Sequence, residues 1–349
     1  MKCTIQNIAD HLGLSRNTVS KALKNSSEVS ENTRNLVIKT ASKLGYKNAT
    51  FATPVIPASE TGSNGTILFL TRTYASDSEF WTTVLRGIES ILSNANYHLA
   101  ISIMSDSDLK QLNFPQTISD SSIKGIILVE ICDKVVCDAL SQFNLPIVSV
   151  DMPNVPFEEL NGIDVVTMES KKNLKKIINQ LIEKGAESFG FVGDLYSPNV
   201  SRGFQERYNA LSECLAEHQL PLNQKNCLLH QTPEDFRNFQ TTVNNLQAMI
   251  SLPDVFICGN DWTAIQLIYA LQFLGFQIPK DICVVGFDNI PAASRISPSL
   301  TTISTPQKYL GIAAARQILE RIQHPNCPHV FCQYETELII RISTNIISF

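Results

Sequence analysis

Residues 4–25 read TIQNIADHLGLSRNTVSKALKN, and this stretch decides the fold of the amino-terminal region. Its first half carries apolar residues at the spacing of one helix face, namely Ile5, Ile8, Ala9 and Leu12. Thr4 is suited to cap the start of that helix, and Gly13 interrupts the pattern as a tight turn requires. Ser15 can cap a second helix, whose inward residues are Val19, Ala22 and Leu23. The stretch therefore predicts two short helices joined by a turn.

A third helix is predicted before Gly45, which ends it. Its predicted inner face consists of Thr33, Leu36, Val37, Thr40, Ala41 and Leu44. Two helices joined by a glycine turn and backed by a third form a helix-turn-helix, in which the second helix enters the major groove of DNA. The alternative interpretation is a small helical bundle with a charged outer face.

The outward side of the second helix carries residue types that read DNA. Arg16 and Lys21 can donate to guanine, and Asn17 can bridge adenine. Thr18 or Ser20 can hold a backbone phosphate. The predicted DNA-binding set is Thr4, Ser15, Arg16, Asn17, Thr18, Ser20, Lys21 and Lys24.

Charge is unevenly distributed along the chain. Residues 1–47 hold eight basic and three acidic residues, a net charge of +5, whereas the whole chain carries −5. A basic head on an acidic body predicts that the head meets a polyanion while the body has another task. Charge alone is equally compatible with a solvated helical surface.

Length and composition exclude several classes of protein. A chain of 349 residues is long enough for two or three domains, and 44% hydrophobic with 17% charged residues excludes general disorder. No apolar run approaches the roughly eighteen residues of a membrane span, and residues 1–10 lack the pattern of a secretory signal.

The nine cysteines include no CxxC pair, so we expect reduced thiols in a cytoplasmic protein with no metal site. The common nucleotide-binding and hydrolase motifs are missing, so we expect neither a cofactor nor catalysis.

The body alternates strand and helix patterns. The predicted strands are TILFLT (66–71), YHLAISIM (97–104), KGIILVEI (124–131), PIVSV (146–150), DVVTM (164–168), SFGFVG (188–193), CLLH (227–230), DVFICG (254–259) and ICVVGF (282–287). The predicted helices are Phe80–Leu92, Asp133–Gln142, Lys171–Lys184, Phe204–Glu217, Pro233–Ile250 and Asp261–Leu274. Such alternation predicts parallel sheets covered by helices on both faces, and its two runs predict two similar lobes.

The head, together with KGIILVEI, LPIVSVDMP, FICGND, IPKDICVVGFDNIP and SPSLTTISTP in this order, resembles the LacI/GalR (lactose-repressor) family of transcription regulators. The resemblance covers nearly the whole chain. It implies a homodimeric repressor that binds double-stranded operator DNA through the helix-turn-helix. It also implies a body with the two-lobed fold of periplasmic sugar-binding proteins, in which the chain crosses between the lobes three times. By the same resemblance Arg16 and Asn17 occupy adjacent base-reading positions, and Lys21 occupies a third, where arginine is more usual.

The predicted domains are a helix-turn-helix domain at 1–47, a linker at 48–65 and an effector-binding and dimerisation domain at 66–349. Pattern breaks place the three crossings near 162–164, 290–293 and 322–328. Lobe 1 is then about 66–162 and 291–323, and lobe 2 about 163–290 and 324–349.

The segment 47–65, KNATFATPVIPASETGSNG, departs from the family, which has a Pro-Asn pair and a short helix here that kinks the operator. Pro54 precedes Val55, at the position of the usual leucine, and proline breaks a helix interior. We therefore predict an atypical hinge that bends the operator weakly or not at all, as gel phasing would measure.

Polar and aromatic residues cluster where predicted strands end, the edge at which parallel sheets bind ligands. The predicted effector-binding set is Phe80, Trp81, Asp151, Arg207, Asn260, Phe287 and Asp288. Arg207 is included by resemblance, with Arg202 as the fallback. Taken singly, Trp81 also fits a core, Asn260 a helix cap and Asp288 a turn, and Asp261 fits a mainly structural role.

Aromatic faces with arginine and carboxylates suit a sugar, whose hydroxyls take charge-assisted hydrogen bonds. We therefore predict a repressor controlled by a sugar bound between the lobes. The alternatives are a nucleobase-responsive regulator and a sugar-binding receptor without DNA function.

Overall fold

The computed structural model describes residues 4–23, 29–30, 33–34, 36–37, 40–41, 63–72, 78–195, 200–230 and 238–345. Lys24 and the part of the predicted linker from 48 to 62 lie outside these residues. Backbone contacts divide the chain into two compact units, Met1–Gly62 and Ser63–Phe349.

The first unit contains the predicted helix-turn-helix. Helix α1 is Ile5–Leu12, capped by Thr4 in a reciprocal capping box with Asn7 and ended by Gly13 at a φ of 64°. Helix α2 is Arg16–Leu23, and the Ser15 hydroxyl accepts from the Thr18 amide at 3.0 Å. Residues 33–34, 36–37 and 40–41 are helical, and α3 denotes these residues. A small core joins the three: Ile8, Ala9, Val19, Ala22, Val29, Val37 and Ala41.

One residue of the predicted inner face of α3 was placed wrongly. Leu36 is 51% exposed, whereas Val37 and Ala41 are fully buried. The difference is a rotation of one residue around the helix, because Leu36 and Val37 lie about 100° apart. Leu44 lies outside the described residues.

The second unit holds two six-stranded sheets, one in each lobe. The strands are β1 Thr66–Arg72, β2 His98–Met104, β3 Ile123–Val129, β4 Ile147–Val150, β5 Ile163–Met168, β6 Phe189–Asp194, β7 Leu228–His230, β8 Val255–Cys258, β9 Cys283–Asp288, β10 Thr301–Ser304, β11 Phe331–Tyr334 and β12 Glu337–Ile339. Lobe 1 has the order β11-β5-β4-β3-β1-β2, and lobe 2 the order β12-β10-β9-β8-β6-β7. All described pairings are parallel except that of β10 with β12, so the predicted parallel sheets are confirmed.

Helices cover these sheets. They are α4 Glu79–Asn94, α5 Asp106–Gln111, α6 Lys134–Ser141, α7 Lys172–Glu183, α8 Arg202–Glu217, α9 Phe239–Ala248, α10 Asp261–Phe273 and α11 Gln307–Gln323. Helices α5 and α11 and strands β10 to β12 fall outside the predicted elements. Residues Ile342–Thr344 form a 3₁₀ turn.

The predicted lobe crossings were wrong. Strand β5 pairs with β4 in lobe 1, so the first crossing follows Met168 rather than lying at 162–164. Strand β10 pairs with β9 in lobe 2, which moves the second crossing from 290–293 to between β10 and α11. Strand β11 pairs with β5 in lobe 1, and the third crossing therefore lies between β11 and β12 instead of at 322–328. Breaks in apolar patterning mark loops, but hydrogen-bond pairing decides to which sheet a strand belongs.

A buried ion pair keeps the segment 325–330 in lobe 1. Arg321 on α11 donates to Asp164 on β5 at 2.8 and 3.0 Å, and their side chains are 5% and 1% exposed. Arg321 also donates to the carbonyls of Pro325 at 3.3 Å and Pro328 at 2.9 Å, while Asp164 accepts the Val330 amide at 2.8 Å. Burial alone would raise the pKa of Asp164, but these donors outweigh it and lower that pKa.

We expect Arg321→Ala to destabilise the second unit by about 3–5 kcal/mol, because it leaves the Asp164 carboxylate buried without its cation. The free energy of unfolding by urea measures this loss. The control is Lys172→Ala, which removes a pair with Glu335 whose side chains are 68% and 72% exposed, and should cost less than about 1 kcal/mol. Equal losses in the two variants would contradict a structural role for the buried pair.

Candidate functional site

A cavity of about 320 Å³ lies between the two lobes at the carboxyl ends of their strands. Lobe 1 contributes Ser78, Phe80, Trp81, Glu130, Asp151 and Met168, and lobe 2 contributes Asp194, Ser201, Phe204, Arg207, Asn260, Trp262 and Asp288. Six of the seven predicted effector-binding residues therefore meet at one place. The cavity volume lies at the small end of ligand sites and suits a small molecule.

Three carboxylates of the lining lie on left-handed backbone. Glu130 directly follows β3 with a φ of 56°, Asp151 follows β4 with 79°, and Asp288 ends β9 with 116°. Such backbone is costly for residues other than glycine and is concentrated at functional sites. The sharp turn that it creates directs each side chain from its strand end into the cavity wall.

Arg207 is the cation of the described lining and is 3% exposed. Its Nη1 donates to the Gly259 carbonyl at 2.6 Å, and its guanidinium lies 3.6 Å from the centre of the Phe287 ring. Burial lowers the pKa of Arg207, and the carboxylates of Asp288 and Asp151 act against that. Its Nε is enclosed and has no hydrogen-bond partner among the described residues, whereas Nη2 also has no such partner but is not fully enclosed, so Nη2 is the donor that a ligand can reach.

Phe287 does not line the cavity, contrary to its place in the predicted set. Its side chain is fully buried and supports Arg207 from behind. The reason is the alternation of side chains along β9, which directs Phe287 away from the face that Asp288 occupies.

Asn260 and Asp261 divide structural and lining roles. Asn260 lines the cavity and also caps α10, because its Oδ1 accepts from the Thr263 amide at 2.9 Å. Asp261 is fully buried behind the cavity and accepts from Thr302 Oγ1 at 2.5 Å and from the Ile290 amide at 2.9 Å. Asp261 therefore has the structural role that its sequence context allowed.

Aromatic rings form one side of the cavity. The rings of Phe80 and Trp81 meet edge to face with centres 4.5 Å apart, and both line the cavity together with Glu130. Trp262, at the start of α10, is 41% exposed and lines the opposite lobe's wall. These flat apolar faces suit the C–H face of a sugar ring or a nucleobase.

Sequence reasoning missed Glu130 and Asp194 among the lining residues. Glu130 was counted as part of the strand KGIILVEI, although β3 ends at Val129. Asp194 ends β6, so the same strand-end rule that selected Asp151 would have found it. Ser201 and Phe204 come from the first turn of α8 and carried no sequence signal of their own.

The fallback residue Arg202 lies elsewhere. It pairs with Glu206 at 2.8 Å and lies 5.3 Å from the Phe331 ring centre of lobe 1, in a separate groove. The groove and the cavity are separated by the contact between Met152 and Arg202, whose amide donates to the Met152 carbonyl at 3.0 Å.

Burial raises the pKa of the cavity carboxyls. Desolvation raises the pKa of Glu130 to about 7, with Arg72 acting in the opposite direction and Asp151 and Asp194 adding to the rise. Desolvation also raises the pKa of Asp151 to about 6, against the hydrogen bond from the Met152 amide and the charge of Arg207. The pKa of Asp288 is raised by burial as well. Closely spaced carboxylates in a poorly hydrated wall favour their neutral forms.

We expect the ligand-free protein to lose stability as pH rises towards and through 7. The reason is that Glu130 takes up a proton on folding at any pH between its unfolded and folded pKa values. The contribution of Glu130 is fully present below its unfolded pKa of about 4.5 and is lost above about 7. The free energy of unfolding in urea should therefore rise in Glu130→Gln, relative to the parent, by about 1–3 kcal/mol between about pH 5 and pH 8. The exposed Glu187→Gln should follow the parent, and parallel curves for Glu130→Gln and parent would contradict the assignment.

The outer face of α2 presents the predicted DNA-reading residues. Arg16 and Asn17 are exposed in its first turn, and Ser20 and Lys21 are partly exposed one turn later. The hydroxyls of Thr4, Ser15 and Thr18 are engaged in helix capping, with Ser15 Oγ 2.8 Å from Thr18 Oγ1. Arg16 and Asn17 are therefore the most exposed of the predicted base-reading side chains, and the capping hydroxyls fix the helix that carries them.

The described helices include none that is both long and apolar enough to cross a membrane. Within the same residues, no group of three or more His, Cys, Asp or Glu side chains is placed to hold a metal ion.

Comparison with known proteins gives two family matches. Residues 4–48 match "Bacterial regulatory proteins, lacI family", and residues 178–344 match "Periplasmic binding protein-like domain". The HTH-type transcriptional repressor PurR of Photobacterium profundum is 26% identical over 97% of this chain and 98% of its own length. The ribose operon repressor of Haemophilus influenzae is 27% identical over 93% of each chain. The lac repressor dimer bound to operator and the anti-inducer ONPF shares the fold, with a TM-score of 0.66, 20% identity and 99% of both chains covered.

Proposed function

Since this chain belongs to the lacI family of bacterial regulatory proteins, we propose that it represses transcription by binding an operator as a dimer, under the control of a sugar held between its lobes. The protein acts by binding and carries out no catalysis, in keeping with relatives that are regulators. Its place of action is the cytoplasm, where operator DNA is accessible.

The observation that carries this proposal is the composition of the interlobe cavity. Aromatic faces of Phe80, Trp81 and Trp262 lie in the same small space as a buried arginine with an open donor and several carboxylates. Sugars are complementary to this combination, because they have an apolar ring face and hydroxyls that both donate and accept hydrogen bonds. A nucleobase is the second candidate, because the two tryptophans could stack on it and one relative is named PurR.

The cavity touches the segments by which the chain crosses between lobes. Met168 lines the cavity and is the last residue of β5, at the first crossing. The Asp288 carbonyl accepts from Thr305 Oγ1 at 3.1 Å and Gln307 Nε2 at 2.7 Å, at the second crossing. The Glu169 amide donates to the Tyr334 carbonyl at 2.8 Å, which joins the first and third crossings.

A ligand in the cavity is therefore positioned to change the arrangement of the lobes. The change that it causes in the free energy of operator binding cannot exceed its preference for one lobe arrangement, which is typically about 1–3 kcal/mol. That range corresponds to a change of about five- to 150-fold in operator affinity.

The test uses the intact protein and an operator selected from random duplex DNA. Thermal shift identifies binders among D-ribose, D-glucose, cellobiose, hypoxanthine and guanine, since a ligand of the folded state raises the melting temperature. Fluorescence anisotropy then measures operator affinity with and without each binder. The proposal expects a sugar to shift both readings. Selection of no duplex, or a binder that leaves operator affinity unchanged, would contradict it.

A further inference from the structure

Carboxylates dominate the charge of the interlobe cavity. Glu130 and Asp151 come from lobe 1, Asp194 and Asp288 from lobe 2, and Arg207 is the cation among the described lining residues. Arg72 lies beside Glu130 at the strand ends, since Thr71 of β1 is in register with Val129 of β3, but it pairs with Asp106 at 2.8 Å. Even without Asp194, three acidic side chains of the described wall, Glu130, Asp151 and Asp288, face a single arginine, and a cation in the cavity would favour their ionised forms.

Arg207 balances these carboxylates only in part, because one cation acts on both Asp151 and Asp288. Its guanidinium is held against Phe287 and donates through Nη1 to the Gly259 carbonyl. Its Nη2 has no partner among the described residues and is not fully enclosed, so it can donate to an acceptor such as a hydroxyl or ring oxygen of a ligand. This donor lies in the same cavity as Glu130, so the ligand is expected to have an acceptor at one point and a positive charge at another.

Glu130 is oriented for such a contact. Glu130 and Trp81 line the cavity from the same lobe, and Trp81 is itself fixed edge to face against Phe80. Each carboxylate oxygen has more than one lone pair, so Glu130 has acceptor capacity for a ligand. Trp81 also offers an aromatic face, which attracts a cation as well as the apolar side of a ring.

We propose that the ligand is an amino sugar, with its protonated amine at Glu130 and a ring or hydroxyl oxygen at Arg207. This inference rests on the proposed function, because it specifies the sugar of the same cavity. A cation shared between carboxylates of the two lobes removes the repulsion that opposes their approach, so it favours the closed arrangement. Phosphorylated and acidic sugars are disfavoured by the same charges.

Isothermal titration calorimetry of the intact protein tests the charge directly with matched pairs. The pairs are D-glucosamine with D-glucose, D-galactosamine with D-galactose, and D-mannosamine with D-mannose, and N-acetylation of each amine gives a neutral analogue. In at least one pair the amine should bind about ten- to a hundredfold more tightly than both neutral forms, the size of one hydrogen bond to a charged group. A neutral member that binds as tightly as its amine in every pair, or no binding at all, would overturn the proposal.

The variant Glu130→Gln assigns the preference to this residue. It should reduce the advantage of the amine over the neutral sugar by about tenfold or more. The exposed Glu187→Gln should keep the parent's preference. An undiminished preference in Glu130→Gln would overturn the placement of the amine.

These outcomes are separable from those of the proposed function. Calorimetry without DNA reports the charge preference, whereas anisotropy with the selected operator reports regulation. An amine that binds selectively but leaves operator affinity unchanged would support the ligand class and contradict the regulatory proposal. Hypoxanthine or guanine binding in place of every sugar would overturn both the sugar assignment and this inference.

Discussion

The double variant Arg16→Ala, Asn17→Ala should lose operator binding almost completely in anisotropy titrations with the selected duplex. Both side chains are exposed in the first turn of α2, where a helix-turn-helix contacts base edges. Each good bidentate base contact contributes about 1–3 kcal/mol of discrimination, so two together predict a loss of roughly 30- to 25,000-fold. Affinity for unrelated duplex DNA should fall much less.

The control is Arg295→Ala, which removes an exposed arginine of the second unit and should leave operator affinity unchanged. Lys21→Ala adds a second comparison. If Lys21 contacts phosphate, its loss should weaken all duplexes similarly and reduce the salt slope by about one. If it reads a base, the loss should be confined to the operator. A double variant that binds the operator like the parent would remove α2 as the reading helix.

The second large effect is expected at Asp288 and Arg207. Asp288→Asn should weaken the sugar that binds most tightly in the panel by about ten- to a hundredfold, because a hydrogen bond to a charged group is lost. Asparagine tolerates left-handed backbone, so the φ of 116° at this position is retained with little added strain. Operator affinity measured without sugar should remain that of the parent, since the reading residues lie in the other unit.

Arg207→Ala should abolish the calorimetric signal altogether. It removes the donor to Gly259 and leaves Asp151 and Asp288 without their nearest described cation, so it should also lower stability by about 2–5 kcal/mol. Asp288→Asn, which is nearly isosteric, separates ligand loss from misfolding. The exposed Asp281→Asn is the matched control. Parent-like sugar affinity in both Asp288→Asn and Arg207→Ala would place the site elsewhere.

Local signals were enough for much of this protein. The spacing of Ile5, Ile8 and Ala9, followed by Gly13, predicted α1 and its turn because helix periodicity and capping act within a few residues. Short β-branched strands alternating with helical stripes predicted parallel sheets for the same reason. Strand ends then indicated the edge of the sheet at which Asp151, Asn260 and Asp288 meet.

Where the sequence failed, the deciding interactions were non-local. Strands β5, β10 and β11 look alike as apolar runs, and only their hydrogen-bond partners assign them to a lobe. The Arg321–Asp164 pair, separated by 157 residues, holds the segment after α11 in lobe 1 where a crossing was predicted. No local pattern carries that information.

The sequence by itself determined the kind of molecule: a basic reading head followed by two parallel sheets with ligand-facing strand ends. Only the tertiary structure decided which side chains share the cavity, because a turn of the backbone at Glu130 directs that acid into the cavity wall and strand alternation places Phe287 behind Arg207. Side-chain direction depends on backbone geometry and on the partner strand, and residue type alone determines neither of them. The excess of acidic over basic side chains in the described cavity wall is a property of the fold rather than of any one segment.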